Sequence, residues 1–319
     1  MPPAGPPTLA RGRESFQREA WAEAYAQLSA ADRTSPLPPD DLERLAMAAA
    51  LIGREEESTD LLARTHQEFL RAGHTARAAR CATYLALTLL GRGEVARAGG
   101  WLARAQRLLE PDQTDTLERA YVLLPLARQH LIQGDAPAAY DAFARAATIA
   151  RRFGDSDVAS MAELGQGRVL VAMGRITEGM AHLDEAMVGV TAGEVSPIFT
   201  GIVYCAVVSA CWITFDLRRA REWTDALSAW CGAHPDLALF RSECLVHRAE
   251  LMRLHGAWPA ALLEVQRARQ IAADPRDAAH GEALYEQGEL HRLRGEREPL
   301  HDRGISPEPD LYFVVLQPA

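Results

Sequence analysis

The sequence contains no lysine and no asparagine, so every basic side chain among its 319 residues is an arginine or a histidine. We interpret this bias as that of a GC-rich genome, and it removes two side chains that binding sites often use. Aromatic residues are also few, at 7%, and runs of strand-forming residues are scarce. Because alanine, leucine and arginine dominate instead, the composition predicts a mostly helical protein.

Long apolar segments are missing as well. The most apolar run, from Ile202 to Phe215, is shorter than the roughly 18 residues that indicate a membrane span. We therefore interpret it as a buried helix and expect no membrane association. The opening "MPPAGPPTLARGR" lacks the layout of a secretory signal. Five cysteines in such a helical chain favour reduced core thiols and a cytoplasmic protein.

An excess of positive charge is absent too. The formal net charge is −9, and no block of basic residues offsets it locally. An acidic surface repels the phosphate backbone of DNA or RNA. We expect no nucleic-acid binding by this chain alone.

What the sequence does contain is an internal repeat, seen in a series of short turns. Their turn residues follow one another at intervals of 40, 41, 40, 42, 40 and 39 residues. The residues are Gly53, Gly93, Gly134, Gly174, Asp216, Gly256 and Gly295. Each turn follows an apolar helical segment and usually precedes another, which predicts pairs of helices whose apolar stripes are covered by neighbouring pairs.

The second helix of each pair has a spacing of its own. Small residues recur five and twelve positions after the turn, with a large apolar residue at the ninth, as in Ala98, Leu102 and Ala105. Small residues let two helix axes approach closely. The Asp216 repeat is looser, with Arg221 and Ser228 at the small positions. Counting from Glu19 gives a further second-helix pattern with no clear first helix before it.

A glycine followed by small residues at these two spacings resembles the tetratricopeptide repeat, although the period exceeds the usual 34 residues. HEAT-type repeats match the period better but not this spacing. The predicted fold is therefore all-α, a right-handed solenoid of tetratricopeptide-like helix pairs with a period near 40 residues. We assign residues 1–13 to a flexible arm, 14–294 to the solenoid and 295–319 to an irregular tail.

A narrower resemblance rests on "REAWAEAYAQLSAAD" near the N-terminus and on "GWLARAQRLLE". From about Arg13 to Arg294 the chain resembles the repeat region of LuxR-type bacterial transcriptional regulators. The resemblance implies a helical sensor that precedes a C-terminal helix-turn-helix. The stretch from Gly295 to Ala319 is too short for that module, and Pro307 and Pro309 exclude another repeat helix there.

Candidate binding residues come from counting six and three positions before each turn and one and four after it. This count predicts the concave face of the solenoid. The polar residues selected are Arg97, Arg128, Arg168, Arg175, Glu178, Glu250, Arg253, Glu289 and Arg292. They would form an arginine-and-glutamate groove for an acidic peptide, a small anion or another protein. The alternative is an ordinary solvated surface with ion pairs along each helix.

Several other sites are excluded by their residues. The carboxylate clamp of tetratricopeptide co-chaperones needs lysine and asparagine, which the chain lacks. Cys244, His247 and His255 have no second ligand pair, so we predict no metal and no cofactor. The carboxylates Glu282, Glu286 and Glu289 have the spacing of a solvated helix face. With no catalytic motif in the sequence, we expect no enzyme.

The function that follows is a sensing or interaction module of a LuxR-type regulatory system, with a free-standing adaptor as the alternative. The expected partner is a peptide or protein, with a small ligand next and self-association through the solenoid or the tail as a further mode. One local conflict remains at Pro125, which should either begin its helix or kink it; a late start is the simpler interpretation.

Overall fold

The computed structural model describes residues 7–110, 116–234, 236–272 and 278–295. Every regular element in these residues is an α-helix. The first eight are α1 Pro7–Gln17, α2 Trp21–Thr34, α3 Pro39–Leu51, α4 Glu55–Arg71, α5 Thr75–Gly91, α6 Val95–Leu109, α7 Leu117–Ile132 and α8 Ala136–Phe153. The others are α9 Ser156–Ala172, α10 Ile176–Thr191, α11 Pro197–Ile213, α12 Leu217–Ala233, α13 Arg241–Leu254, α14 Trp258–Ile271 and α15 Ala278–Leu293.

These helices alternate between two roles. Odd-numbered helices are the first members of pairs and even-numbered helices are the second members. The second helices α2, α4, α6, α8, α12 and α14 each contact the first helix of the next pair, for example α4 with α5 and α8 with α9. First helices also contact each other across pairs: α1 with α3, α5 with α7, α7 with α9 and α13 with α15. The surface formed by neighbouring first helices is called the first-helix face below.

The chain divides into two units within α11. Unit 1 is Met1–Val203 and unit 2 is Tyr204–Ala319. None of the helices in the described ranges is both long enough and apolar enough to cross a membrane.

The predicted spacing of the second helices is confirmed by their burial. After Gly53, Gly93, Gly134, Gly174 and Gly256, the residues five and twelve positions along are all buried. Where a polar residue replaces alanine it finds a partner: the Ser58 hydroxyl donates to the carbonyl of Ala46 at 2.8 Å. The close approach of helix backbones therefore sets the choice of residue at these positions.

One turn differs from the prediction by a single residue. The turn glycines have positive φ, and in the fifth turn it is Phe215, with φ of 55°, that takes this conformation. The amide of Phe215 donates to Trp212 and that of Asp216 to Cys211, as the amides of Gly53 and Arg54 do to Ala50 and Ala49.

Asp216 instead caps α12, accepting a hydrogen bond from the amide of Arg219 at 3.1 Å. The prediction that Asp216 is the turn residue is therefore wrong. Counted from Phe215, the small position is Ala220, which is fully buried, and not Arg221. The repeat therefore matches the others at the fifth position, whereas the twelfth position is Leu227, a large buried residue.

Phe215 is an outlier because bulky residues rarely adopt positive φ, and its side chain is 85% exposed, so little packing compensates. We expect Phe215→Gly to stabilise the protein by roughly 0.5–1 kcal/mol, measured by urea unfolding. Phe153, an exposed phenylalanine that ends α8, is the control. Phe153→Gly should lower the free energy of unfolding by roughly 0.5 kcal/mol. If both substitutions lower it, the assignment of backbone strain to Phe215 is wrong.

The N-terminal boundary also differs. Residues 7–13, predicted to lie in a flexible arm, belong to α1, which begins at Pro7, a residue suited to a first helical turn. Arg13 donates from Nε and Nη2 to the carboxylate of Asp41 on α3, at 2.8 and 2.6 Å. Helix α1 is the missing first helix of the pair that ends with α2. The predicted tail, apart from Gly295, lies outside the described residues.

The late helix start predicted at Pro125 is wrong. Helix α7 begins at Leu117, and Pro125 lies inside it. Tyr121, four residues earlier, and the neighbouring Leu124 are both buried. Their burial offsets the backbone hydrogen bond that proline cannot make.

Unit 1 contains a fully buried histidine whose ionisation should be visible in stability. Nδ1 of His66 donates to the carbonyl of Ala78 at 2.8 Å, and the ring packs edge-on against Trp101. Among the described residues, Nε2 has no hydrogen-bond partner. Burial lowers the pKa of His66 below its ordinary 6.5, with the Ala78 hydrogen bond opposing it.

A histidine with a lowered folded pKa takes up its proton more readily in the unfolded chain, so stability falls as pH drops below 6.5. We expect His66→Phe, which keeps the packing on Trp101, to reduce this dependence. The check is the free energy of unfolding of both proteins at about pH 7.5 and pH 5.5, where one proton contributes at most about 1.4 kcal/mol per pH unit. Equal pH dependence in the two proteins would contradict this role for His66.

Candidate functional site

The nine residues predicted for the groove fall into three groups. Arg97, Arg175 and Glu178 lie at the starts of the second helices α6 and α10, and they are exposed. Arg97 pairs with Glu94 on its own helix end, and Arg175 pairs with Glu178 at 2.5 and 2.8 Å. These are exposed pairs three residues apart, which contribute little to stability. They match the alternative of an ordinary solvated surface.

The second group is Arg128 on α7 and Arg168 on α9, both half-buried in unit 1. They lie at equivalent positions of two first helices that contact each other. Their position on the first-helix face stays a prediction of the counting rule.

The third group is Glu250, Arg253, Glu289 and Arg292, which lie on α13 and α15 in unit 2. Three of them form a cluster with His247 and Glu286, two residues that the count did not select. We call the α13–α15 face the set His247, Glu250, Arg253, Glu286 and Glu289. Its central contact joins two consecutive first helices: Nε of Arg253 donates to Oε1 of Glu286 at 2.6 Å. The Glu286 side chain is only 2% exposed, against 22% for Arg253. A carboxylate in this position depends on its arginine partner, because an unpaired buried charge is costly.

The charges around this contact are arranged in pairs. Nδ1 of His247 lies 3.1 Å from Oε2 of Glu250, and Nη2 of Arg292 donates to Oε2 of Glu289 at 2.8 Å. Within the described chain, the terminal amino groups of Arg253 have no hydrogen-bond partner, since Glu286 holds the guanidinium through Nε. The face therefore offers an oriented arginine between carboxylates.

Burial and neighbouring charges shift the pKa values of two residues on this face, Glu286 and His247. Burial raises the pKa of the Glu286 carboxyl, and the hydrogen bond from Arg253 opposes this only in part. Burial also lowers the pKa of His247, but the hydrogen bond and charge of Glu250 outweigh it and the net direction is upward. The expectation that Glu282, Glu286 and Glu289 form a solvated stripe is thus wrong for Glu286.

Counting also missed a polar cluster on the first-helix face of unit 1. Arg80 on α5 donates to Oε1 of Glu43 on α3 at 3.1 Å, and its guanidinium lies 5.9 Å from the ring centroid of Tyr121 on α7. The Tyr121 hydroxyl donates to Oδ2 of Asp155 at 3.1 Å. Tyr84 packs edge-on against Tyr121, with ring centroids 5.7 Å apart. Burial raises the pKa of both tyrosines.

A signal for this cluster was present in the sequence. Continuing the same helical count to ten and thirteen positions before each turn selects Glu43, Arg80 and Tyr121. The count of six and three positions reaches only the half of each first helix that lies next to its turn.

The histidines weighed as metal ligands, His247 and His255, each have another polar partner. His247 is occupied by Glu250, and His255 contacts the carbonyl of Leu251 at 2.7 Å. Among the described residues, no group of three or more histidine, cysteine, aspartate or glutamate side chains is arranged to hold a metal ion.

Comparison with known proteins identifies the fold. No protein-family model matches the chain, and no curated protein matches it. Among solved structures, a Signal Transduction ATPase with Numerous Domains from Pyrococcus horikoshii, which has a tetratricopeptide repeat sensor, is similar with a TM-score of 0.51 and 11% identity. That match covers 89% of this chain and 44% of the other, so the chain spans less than half of that protein.

A Rap protein complexed with competence and sporulation factor is similar at the same TM-score of 0.51, with 10% identity. It covers 90% of this chain and 97% of the other. At such identities the likeness shows the fold alone. The fold is an all-α solenoid of tetratricopeptide-type helix pairs, as the spacing of the turns predicts.

Proposed function

We propose that this chain is a non-catalytic interaction module of a LuxR-type regulatory system, and that a peptide or protein segment docks on its first-helix faces. The α13–α15 face is the main contact. The observation that carries this proposal is the oriented Arg253, held through Nε by the buried Glu286 with its terminal amino groups left for a partner. An arginine fixed in this way loses less conformational entropy when a partner's carboxylate or carbonyl groups bind it.

The surrounding charges specify the partner further. Glu250 and Glu289 flank the arginine on the same two first helices, so the segment that fits offers donors as well as an acceptor. This differs from the predicted preference for an acidic peptide or a small anion, because carboxylates outnumber arginines on this face. The proposal keeps a peptide or protein as the partner, and it supports neither a cofactor nor a metal.

The regulatory context is supported by the resemblance of "GWLARAQRLLE" and of the N-terminal segment to the repeat region of LuxR-type regulators. It is also supported by the tetratricopeptide repeat sensor of the Pyrococcus horikoshii protein, a sensor on the same fold. Localisation in the cytoplasm is part of the same proposal.

Binding is tested by selecting random peptides on the purified full chain and measuring the affinity of the enriched peptides by calorimetry. Glu250→Gln with Glu289→Gln removes two charges and leaves the Arg253–Glu286 pair in place. We expect this double variant to lose more than about 10-fold in affinity, the value of one charged hydrogen bond. Glu222→Gln, at an exposed position of the second helix α12, is the matched control and should bind normally. Peptides that bind all three proteins equally would refute docking on this face.

The regulatory part is tested separately. A helix-turn-helix protein encoded beside this gene should change its affinity for promoter DNA when the chain is added in a gel-shift assay. No change would favour the free-standing adaptor. The chain alone should not shift the DNA at physiological salt, since its net charge is −9.

A further inference from the structure

Side-chain contacts join the first helices α5, α7 and α9 of unit 1 in succession. Tyr84 on α5 packs edge-on against Tyr121 on α7, with ring centroids 5.7 Å apart. The Tyr121 hydroxyl donates to Oδ2 of Asp155, the residue that caps α9, at 3.1 Å. Each of these contacts links one helix pair to the next, which is the ordinary arrangement of a solenoid, where interactions run between neighbouring repeats.

Two further contacts connect α9 to the start of α11, and α11 back to α5. The amide of Ser196, directly before α11, donates to Oδ1 of Asp157 on α9 at 2.7 Å. Phe199, in the first turn of α11, packs against Tyr84 with ring centroids 6.1 Å apart. This last contact joins first helices that are not neighbours and closes the series into a ring. We call the unit 1 ring the set Tyr84, Tyr121, Asp155, Asp157, Ser196 and Phe199, all within unit 1.

The unit 1 ring is largely shielded from water. Tyr121 and Phe199 are 3% and 4% exposed, and Tyr84 and Asp157 are half-buried. Both polar links have a carboxylate as acceptor, and hydrogen bonds to charged groups are stronger than those between neutral groups, the more so away from water. The two aromatic links bury apolar surface that would otherwise be hydrated. Each link therefore favours the closed arrangement.

We propose that the unit 1 ring is a latch, whose four contacts open and close together and hold α5, α7, α9 and the start of α11 at one curvature. In an open stack, each helix pair interacts only with its neighbours. A closed ring differs, because a contact that breaks is held near its partner by the other three and forms again at a high effective concentration. Loss of the contact between Tyr84 and Phe199 removes this advantage from every other link.

The latch bears on how a partner reaches unit 1. Tyr121 and Asp157 lie in the first halves of α7 and α9, whereas Arg128 and Arg168 lie nearer the ends of the same helices. A segment that docks along α7 and α9 can contact the two arginines while the ring is closed, but it must open the ring to go further. This consequence rests on the proposed function, whereas the latch itself does not.

The experiment is hydrogen exchange of the full chain, measured at the amide of Ser196 by mass spectrometry with residue-level fragmentation. This amide is bonded to Asp157, and the next residue, Pro197, has no amide, so its deuterium uptake is separated from that of α11. Tyr84→Leu removes the ring contact with Phe199 and leaves the bond between Ser196 and Asp157 in place. We expect this change on α5 to speed exchange at Ser196 by more than about 10-fold, because the links open together.

Tyr140→Leu is the matched control. Tyr140 is another half-buried tyrosine of unit 1, but it lies on the second helix α8, where its ring packs edge-on against His182. Exchange at Ser196 should keep its wild-type rate in this variant, and the amides of α2 should be unchanged in both variants. If Tyr84→Leu does not fold, Phe199→Leu, at the other end of the same contact, takes its place. An unchanged rate at Ser196, or an equal acceleration in α2, would overturn the proposal.

Discussion

Replacing Arg253 with methionine is expected to destabilise the protein by about 3 kcal/mol at pH 7. Methionine keeps the apolar stem of the arginine but removes the guanidinium that lies 2.6 Å from Glu286. The Glu286 side chain, 2% exposed, would then be a buried carboxylate without its cation. Removing one partner of a buried ion pair is among the most costly single substitutions.

The size of this effect has a physical limit. Glu286 can escape the penalty by taking up a proton, which for a carboxyl with an ordinary pKa of 4.5 costs about 1.4 kcal/mol per pH unit above that value. The limit is therefore about 3 kcal/mol at pH 7, and it shrinks to less than about 1 kcal/mol at pH 5. We therefore expect urea unfolding to show a smaller destabilisation by Arg253→Met at pH 5 than at pH 7.

A second substitution separates the lost pair from lost packing. The double variant Arg253→Met with Glu286→Leu contains neither charge and should recover most of the stability, because apolar residues of similar volume often replace a buried pair without cost. A destabilisation that is the same at both pH values, and that the double variant keeps, would show that packing and not charge is responsible.

The counting rule found Arg253 but could not have found its partner. Spacing from a turn places a residue on a face of its own helix, whereas Glu286 lies 33 residues further along, on the next first helix. Which pairs meet depends on the angle between α13 and α15 and on the rotamers of long side chains.

Features set by backbone geometry were more predictable. Small residues five and twelve positions after the turn glycines Gly53, Gly93, Gly134, Gly174 and Gly256 are buried because two helices cannot approach closely with larger side chains there. The turn was placed one residue too late, at Asp216, because glycine was expected there. Phenylalanine, at position 215, instead adopts the positive φ of the turn glycines. Helix α1 was missed because no clear first helix was seen before Glu19, although Pro7 is suited to a first helical turn.

The small position at Gly179 shows how strict this geometry is. Other repeats tolerate alanine there, as at Ala98 and Ala139. A Cβ atom added to Gly179 would lie 2.7 Å from the carbonyl oxygen of Gly167 and 2.9 Å from the amide nitrogen of Val171. Both are backbone atoms of α9, and a Cβ added to Gly167 would meet the Gly179 carbonyl oxygen at 2.8 Å. Backbone cannot move aside as the end of a side chain can.

We therefore expect Gly179→Ala to destabilise unit 1 by about 2 kcal/mol, since α9 and α10 would have to separate. Gly99, inside α6 with no atom within 4 Å of an added Cβ, is the matched control. Gly99→Ala should raise the free energy of unfolding by roughly 0.5–1 kcal/mol, because alanine loses less backbone entropy than glycine on entering a helix. Urea unfolding of the two variants measures both effects. If both substitutions raise the free energy of unfolding, α9 and α10 have room for a Cβ atom at position 179, and the prediction is wrong.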